Sequence, residues 1–162
     1  MAIFTVEQCV AQRSPGRLIR RVAKLGTALV EAQFEGEEMS FQQWIALKVT
    51  ADGVVGNAGE LARELGITTG ATTRLIDTLE QRGMMARVRC GEDRRVVKIA
   101  VTPAGGAVME RLQPRVVGAW SEMFAEIEQE EADAFARTLV RLYERAEQLA
   151  GTSEATETED AL

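Results

Sequence analysis

Apolar residues recur at helical spacing along most of this chain. Leu18, Ile19, Val22, Leu25, Leu29 and Ala32 form one stripe behind Pro15, whose missing N–H costs nothing at a helix start, and Arg17, Arg20, Arg21 and Lys24 occupy the opposite face. Gly36 ends this first predicted helix. Ser40 is a good N-cap for a second, which carries Phe41, Trp44, Ile45, Leu47 and Lys48 and ends near Asp52-Gly53. Asn57 caps a third, with Glu60 at capping-box spacing and Leu61, Ala62 and Leu65 as its apolar face. Gly66 stops that helix after little more than two turns, and Thr68 caps a fourth that runs through Leu75, Ile76 and Leu79 to Gly83.

The period then changes. Residues 85–89 and 96–101 are β-prone and flank the polar stretch Cys90 to Arg95, which contains Gly91, so a hairpin is predicted. A short helix, a glycine turn, a longer helix and a hairpin make a winged helix-turn-helix. Thr102-Pro103 restarts a helix whose stripe, Val108, Leu112, Val116, Trp120, Met123, Phe124 and Ile127, passes Pro114 and Gly118, two sites for a kink. After the acidic stretch 128–133 a last helix repeats Phe135, Leu139, Leu142, Tyr143, Ala146 and Leu149. Residues 151–162 hold Glu154, Glu157, Glu159 and Asp160 without a base, the composition of a flexible acidic tail. The expected architecture is mainly α with a small β-hairpin wing. The winged helix-turn-helix is expected over 37–105, and 1–36 with 106–150 as a helical dimerisation lobe, because such long terminal stripes exceed what one small winged helix can cover; packing within the chain alone is the alternative.

Composition narrows the function. The 162 residues are 46% hydrophobic and 27% charged, enough for one ordinary domain, and the net charge of −6 excludes a uniformly basic nucleic-acid coat. Sorted by segment, residues 58–102 hold eight bases and six acids, a net of +2, which leaves −8 for the remainder. The absence of histidine removes the commonest general base and most transition-metal sites, and Cys9 and Cys90 make neither a disulfide framework nor a zinc site. No nucleophile with a base at recognisable spacing and no phosphate-cradling glycine loop is present, so the chain is expected to be no enzyme and to need no cofactor or metal. The first residues lack the basic region and apolar run of a secretory signal, and no stretch nears the roughly 18 to 20 apolar residues of a membrane span, so a cytoplasmic protein with no membrane partner is expected.

Double-stranded DNA is the partner this pattern suits. The first turns of the fourth helix present Thr69, Gly70, Thr72, Thr73 and Arg74, where hydroxyls and helix-terminal amides can meet phosphates or base edges and Gly70 permits close backbone approach. Packing and capping are the alternative roles for Thr72 and Thr73, and a surface salt bridge for Arg74. Arg94 and Arg95 stand at the hairpin tip, where an inserted arginine benefits from the potential of a narrow minor groove.

In this order and spacing, Phe41-Gln-Gln-Trp44-Ile-Ala-Leu47, Glu60-Leu-Ala62-Arg-Glu-Leu65-Gly-Ile, Thr73-Arg74-Leu-Ile-Asp77-Thr-Leu79-Glu-Gln-Arg-Gly83, Arg87, Glu92-Asp93-Arg94-Arg95 and Val101-Thr102-Pro-Ala-Gly105 resemble the MarR family of winged-helix transcription regulators. The resemblance implies a triangular homodimer and a pseudo-palindromic operator. It favours Arg95 as the inserting residue, with Asp93 orienting its guanidinium, and an exposed ion pair as the plainer role. It also implies a repressor released by a small aromatic or phenolic effector. The matching neighbourhood is Met39, Phe41, Trp44, Trp120, Met123 and Phe124, with Arg17, Arg20 and Arg21 available to a carboxylate; core packing and a solvated basic face are the alternatives. Some relatives sense peroxide through a cysteine placed roughly where Cys9 stands, but they supply tyrosines from a neighbouring helix, and the only tyrosine here is Tyr143 in the last one. Redox sensing and a winged helix used for protein contact are the rival readings. The sequence also departs from the family: Thr72 stands where an apolar residue is usual, and Cys90-Gly91 where aspartate and proline are frequent.

Overall fold

The computed structural model describes Phe4, residues 14–89 and residues 97–159, with the backbone alone at Arg89 and 151–159. Six helices and one hairpin follow in the order α1 (Pro15–Ala32), α2 (Phe41–Ala51), α3 (Ala58–Leu65), α4 (Thr69–Gln81), β1 (Met85–Arg89), β2 (Val97–Val101), α5 (Pro103–Met123) and α6 (Gln129–Glu159). Contacts divide the chain into two units, one ending at Trp120 and the other starting at Ser121.

The first unit is a winged helix whose local signals act as the sequence indicates. Ser40 and Gln43 form a reciprocal capping box, with the Ser40 amide donating to Gln43 Oε1 at 3.0 Å and the Gln43 amide to Ser40 Oγ at 3.1 Å. At α3 the box opens by one residue. Asn57 Oδ1 accepts from the Glu60 amide at 3.0 Å, but Glu60 Oε2 takes the Gly56 amide at 2.6 Å and so pins the preceding loop. That bond holds the Glu60 carboxyl below its ordinary pKa. Gly66 closes α3 at φ 62°, a left-handed cap that a side chain would strain. The hairpin is antiparallel, pairing Met85 with Val101 and Arg89 with Val97, and Ile99 N–H donates to Gly56 O at 2.9 Å.

One apolar core runs through this unit. Leu47, Leu61, Ile76, Leu79 and Leu112 are fully buried, with Met85 and Ile99 from the hairpin beside them. The region of α1 contributes Val30 and Phe34, and Phe34 stacks at a tilt on Trp44 with ring centroids 6.4 Å apart. The buried line of α1 is therefore Gly26 and Val30, whereas the stripe of Leu18, Ile19, Val22, Leu25 and Leu29 lies exposed. Gly26 is where α1 meets α5 closely, since a Cβ there would stand 2.8 Å from the Trp120 ring.

Three boundaries differ from expectation. Pro114 and Gly118 lie inside an uninterrupted α5, and Ile127 falls in the turn beyond it rather than in its stripe. In the second unit α6 starts within the acidic stretch, where Glu130 and Glu131 suit the positive end of the helix dipole. The helix continues to Glu159 instead of giving way to a tail at residue 151. Every described side chain of α6 except Ala132 is exposed, Phe135, Leu139, Leu142, Tyr143 and Leu149 among them.

Candidate nucleic-acid interface

The helix-turn-helix presents the start of α4 outward. Thr68 caps it by accepting from the Ala71 amide at 3.3 Å, and Leu61, Ile76 and Leu79 fix α3 against α4 from below. Thr69, Gly70, Thr73 and Arg74 are exposed. Beyond its chain neighbours and the backbone of its own helix, no atom of the described residues lies within 4 Å of a Cβ built on Gly70, and no carboxylate among them pairs with Arg74. Thr73 Oγ1 donates to Thr69 O at 3.0 Å, which leaves its lone pairs to outside donors.

Thr72 is a correction. It has no exposed surface, and its hydroxyl donates to Thr68 O at 3.1 Å. Positions 72, 76 and 79 share one helical face, so the residue that carries Thr72 must point with Ile76 and Leu79 into the core. A threonine fits there because the backbone carbonyl four residues back satisfies its hydroxyl.

At the root of the wing, Arg87 is held by α4. Its guanidinium donates to Asp77 Oδ1 at 2.7 Å and to Glu80 Oε2, and its amide donates to Glu80 Oε1 at 2.8 Å. The Asp77 bond and both carboxylates hold Arg87 charged more firmly than usual. Arg82, at the end of α4, donates to Glu38 O at 2.7 Å and Glu37 O at 3.4 Å. Two of the bases that make segment 58–102 positive are thus engaged inside the fold. Sequence reasoning placed Arg87 among the charges that favour DNA and missed its clamp, because its partners become neighbours only when the hairpin folds back on α4. Asp77 and Glu80, one helical turn apart, were the available signal.

The exit from the wing is equally tied. Thr102 Oγ1 donates to Gly83 O at 2.6 Å and accepts from the Gly105 amide at 3.1 Å, while Thr102 N–H donates to Met84 O at 3.0 Å. A Cβ on Gly105 would sit 2.2 Å from Met84 O, so only glycine lets α5 begin against this strand. Asp93, Arg94, Arg95 and both cysteines, Cys9 and Cys90, lie outside the described residues.

The residues expected around an effector are dispersed in role. Met39 and Trp44 are core, with Trp44 Nε1 buried and no acceptor beside it among the described residues. Phe41 is half-buried beside an open cleft of about 420 Å³ shared with Thr27, Glu31 and Ile45. Trp120 covers Gly26. Arg17 is half-buried, and Arg21 lines another open cleft, about 500 Å³, with Arg20, Lys24 and Leu25. Met123 and Phe124 belong to the second unit, where Phe124 and Phe135 pair at 6.0 Å. Among the described residues no group of three or more carboxylates and cysteines could hold a metal ion, and no helix is long and apolar enough to cross a membrane.

The MarR family model matches residues 55–97, from the end of the α2–α3 loop to the start of β2. Among solved structures, a MarR-family transcriptional regulator from Silicibacter pomeroyi is 24% identical over 86% of this chain and 94% of its own, with a TM-score of 0.72. A cysteine-to-serine mutant of MarR from E. coli, solved with operator DNA, is 23% identical over 78% of this chain and 91% of its own, at TM-score 0.68. A MarR family protein of Mycobacterium tuberculosis, in complex with p-aminosalicylic acid, is 22% identical over 79% of this chain and 97% of its own, at TM-score 0.66. Over residues 55–97, from the end of the α2–α3 loop to the start of β2, this chain matches the MarR family model, and its fold is similar to the winged helix of MarR-family transcriptional regulators.

Proposed function

We propose that the protein is a sequence-specific DNA-binding transcriptional regulator that acts as a homodimer on a pseudo-palindromic operator and represses by occupying it. The observation that carries this reading is the exposed start of α4, where Thr69, Gly70, Thr73 and Arg74 surround helix-terminal amides on a rigidly packed scaffold. The operator complex of the E. coli relative supports it. Homodimerisation is supported by the apolar rows that the monomer leaves open, 43–56% exposed along α1 from Leu18 to Leu29 and 38–56% along α6 from Phe135 to Leu149. Thr69, Gly70, Thr73 and Arg74 are the proposed contacts of the recognition helix. From the sequence alone, Arg94 and Arg95 are added at the wing, with Asp93 orienting Arg95.

A small aromatic carboxylate is the proposed effector. The complex of the Mycobacterium tuberculosis relative with p-aminosalicylic acid supports the ligand class, and the cleft lined by Arg20, Arg21 and Lys24 offers cations to such an anion. The test is a mobility shift on the duplex upstream of the protein's own gene, at two salt concentrations, with and without salicylate. Arg74→Ala and Arg95→Ala should each weaken binding at least tenfold, a loss of about 1.4 kcal/mol, while sedimentation still shows a dimer. Retention of full operator affinity by both variants defeats the DNA-contact assignment, and a wild-type protein that retards no duplex defeats the reading as a whole in favour of a protein-binding winged helix.

A further inference from the structure

Between α1 and α2 the chain makes a tight turn with two left-handed residues, Gly36 at φ 80° and Glu38 at φ 50°. Glycine adopts that region freely, but a glutamate there needs outside support. The support comes from α4, whose last side chain, Arg82, donates to the carbonyl of Glu38 at 2.7 Å and to that of Glu37 at 3.4 Å. The Glu37 side chain faces the other way in chain terms and is only 14% exposed. Its carboxylate accepts from Arg111 and lies 3.3 Å from Arg115, both on α5, and Arg115 also donates to Gln33 O at 3.2 Å. Glu37 therefore holds α5 with its side chain, across 74 positions of sequence, and the end of α4 with its backbone, across 45, beside the stronger bond that Glu38 makes to the same arginine across 44.

We propose that Glu37 is a positioning residue that couples α5 to the C-terminal end of α4, so that the pitch of the recognition helix follows α5 through the strained turn. Three features favour coupling over simple bracing. Glu38 holds a left-handed backbone that a non-glycine residue disfavours, so weakening its anchors favours a shift of the turn. The links are ionic or charge-assisted hydrogen bonds, directional contacts that break discretely instead of deforming like apolar packing. The same turn receives arginines from both helices, and neither helix reaches the other through this node without it. The functional consequence, a recognition helix whose angle on DNA is set from α5, rests on the DNA-binding reading above. The coupling itself does not.

The test uses the full-length protein and the variants Glu37→Gln, Arg111→Met and Arg82→Met. Native-state hydrogen exchange is read at the amides of Gly83 and Met84, which donate to Glu80 O and Leu79 O in the last turn of α4, and at Leu61 N–H, bonded to Asn57 O in α3. Changing Glu37 or Arg111 is expected to speed exchange at Gly83 and Met84 by about tenfold and leave Leu61 within twofold of wild type. Combining either with Arg82→Met should add nothing further, because the path is already cut. Unchanged exchange at the end of α4 in Arg111→Met, or an equal rise at Leu61, overturns the proposal. On DNA selected from a random pool, Glu37→Gln should lose discrimination between half-site spacings differing by one base pair, and wild-type discrimination counts against it. If wild-type protein selects no DNA, the functional reading fails while the exchange result still decides the coupling.

Discussion

The two units of this chain solve the same problem in opposite ways. In the first, every helix start from α2 to α5 is capped by a side chain, the apolar faces of α2 to α5 meet in one core while the leucine row of α1 stays exposed, and the hairpin is bolted to α4 and α5 by Arg87 and Thr102. In the second, α6 follows the same helical period but leaves its apolar row in water. Periodicity alone does not separate a helix that finishes its packing within the chain from one that awaits a partner. The difference teaches which part is folded by its own contacts and which part is an expectation about assembly.

The sharpest way to break this comparison is at α6. Replacing Leu139 and Leu142 together with glutamate puts two charges into a row that the proposed homodimer buries, and should raise the dimer dissociation constant at least a hundredfold, about 2.7 kcal/mol or more. Circular dichroism should show the first unit still folded. Analytical ultracentrifugation decides it, and an unchanged dimer would place the interface elsewhere.

Next in size is Gly105→Ala. The added methyl collides with Met84 O, a backbone atom that cannot rotate away, so we expect a loss of about 2 kcal/mol in urea denaturation. Gly26→Ala meets a ring that can shift, and a loss of about 1 kcal/mol is expected from the same measurement. Equal effects would mean that the α1–α5 approach is as rigid as the wing exit. Arg87→Ala removes a pairing about one-third exposed, so roughly 1 kcal/mol of stability should go, with faster exchange of the β1–β2 amides. The smallest effect is the acid dependence of Glu60. Its carboxyl is held below the ordinary value, so its contribution is present above the unfolded pKa near 4.3 and lost as pH falls through the lower folded value. Glu60→Gln should therefore be less stable than wild type at pH 7 and converge with it in denaturation curves taken toward pH 3; a constant gap would mean that the amide, not the charge, matters.

Much of the first unit was readable locally. Ser40, Asn57 and Thr68 announce helix starts, Gly66 and Gly83 announce stops, and the change from a helical to an alternating period announces the hairpin. The exposure of the start of α4 was equally legible except at Thr72, where residue type argued for the surface and helix geometry for the core. What composition obscured was the destination of charge. Arg82 and Arg87 look like DNA-facing bases in any count, and only the turn at Glu38 and the carboxylates of Asp77 and Glu80 show that they hold the scaffold together.

By itself the sequence determined the order of elements, the caps and stops of α2 to α4, and the residue chemistry at the start of α4, because these depend on neighbours within a few positions. Tertiary structure alone decided that Thr72 is core, that Gly105 must be glycine, that α1 buries Gly26 and Val30 instead of its leucine row, and that Glu37 joins α5 to α4. Each of those facts is a contact between residues separated by a loop closure, and such a contact exists only once the chain has paid the entropy of bringing its distant parts together.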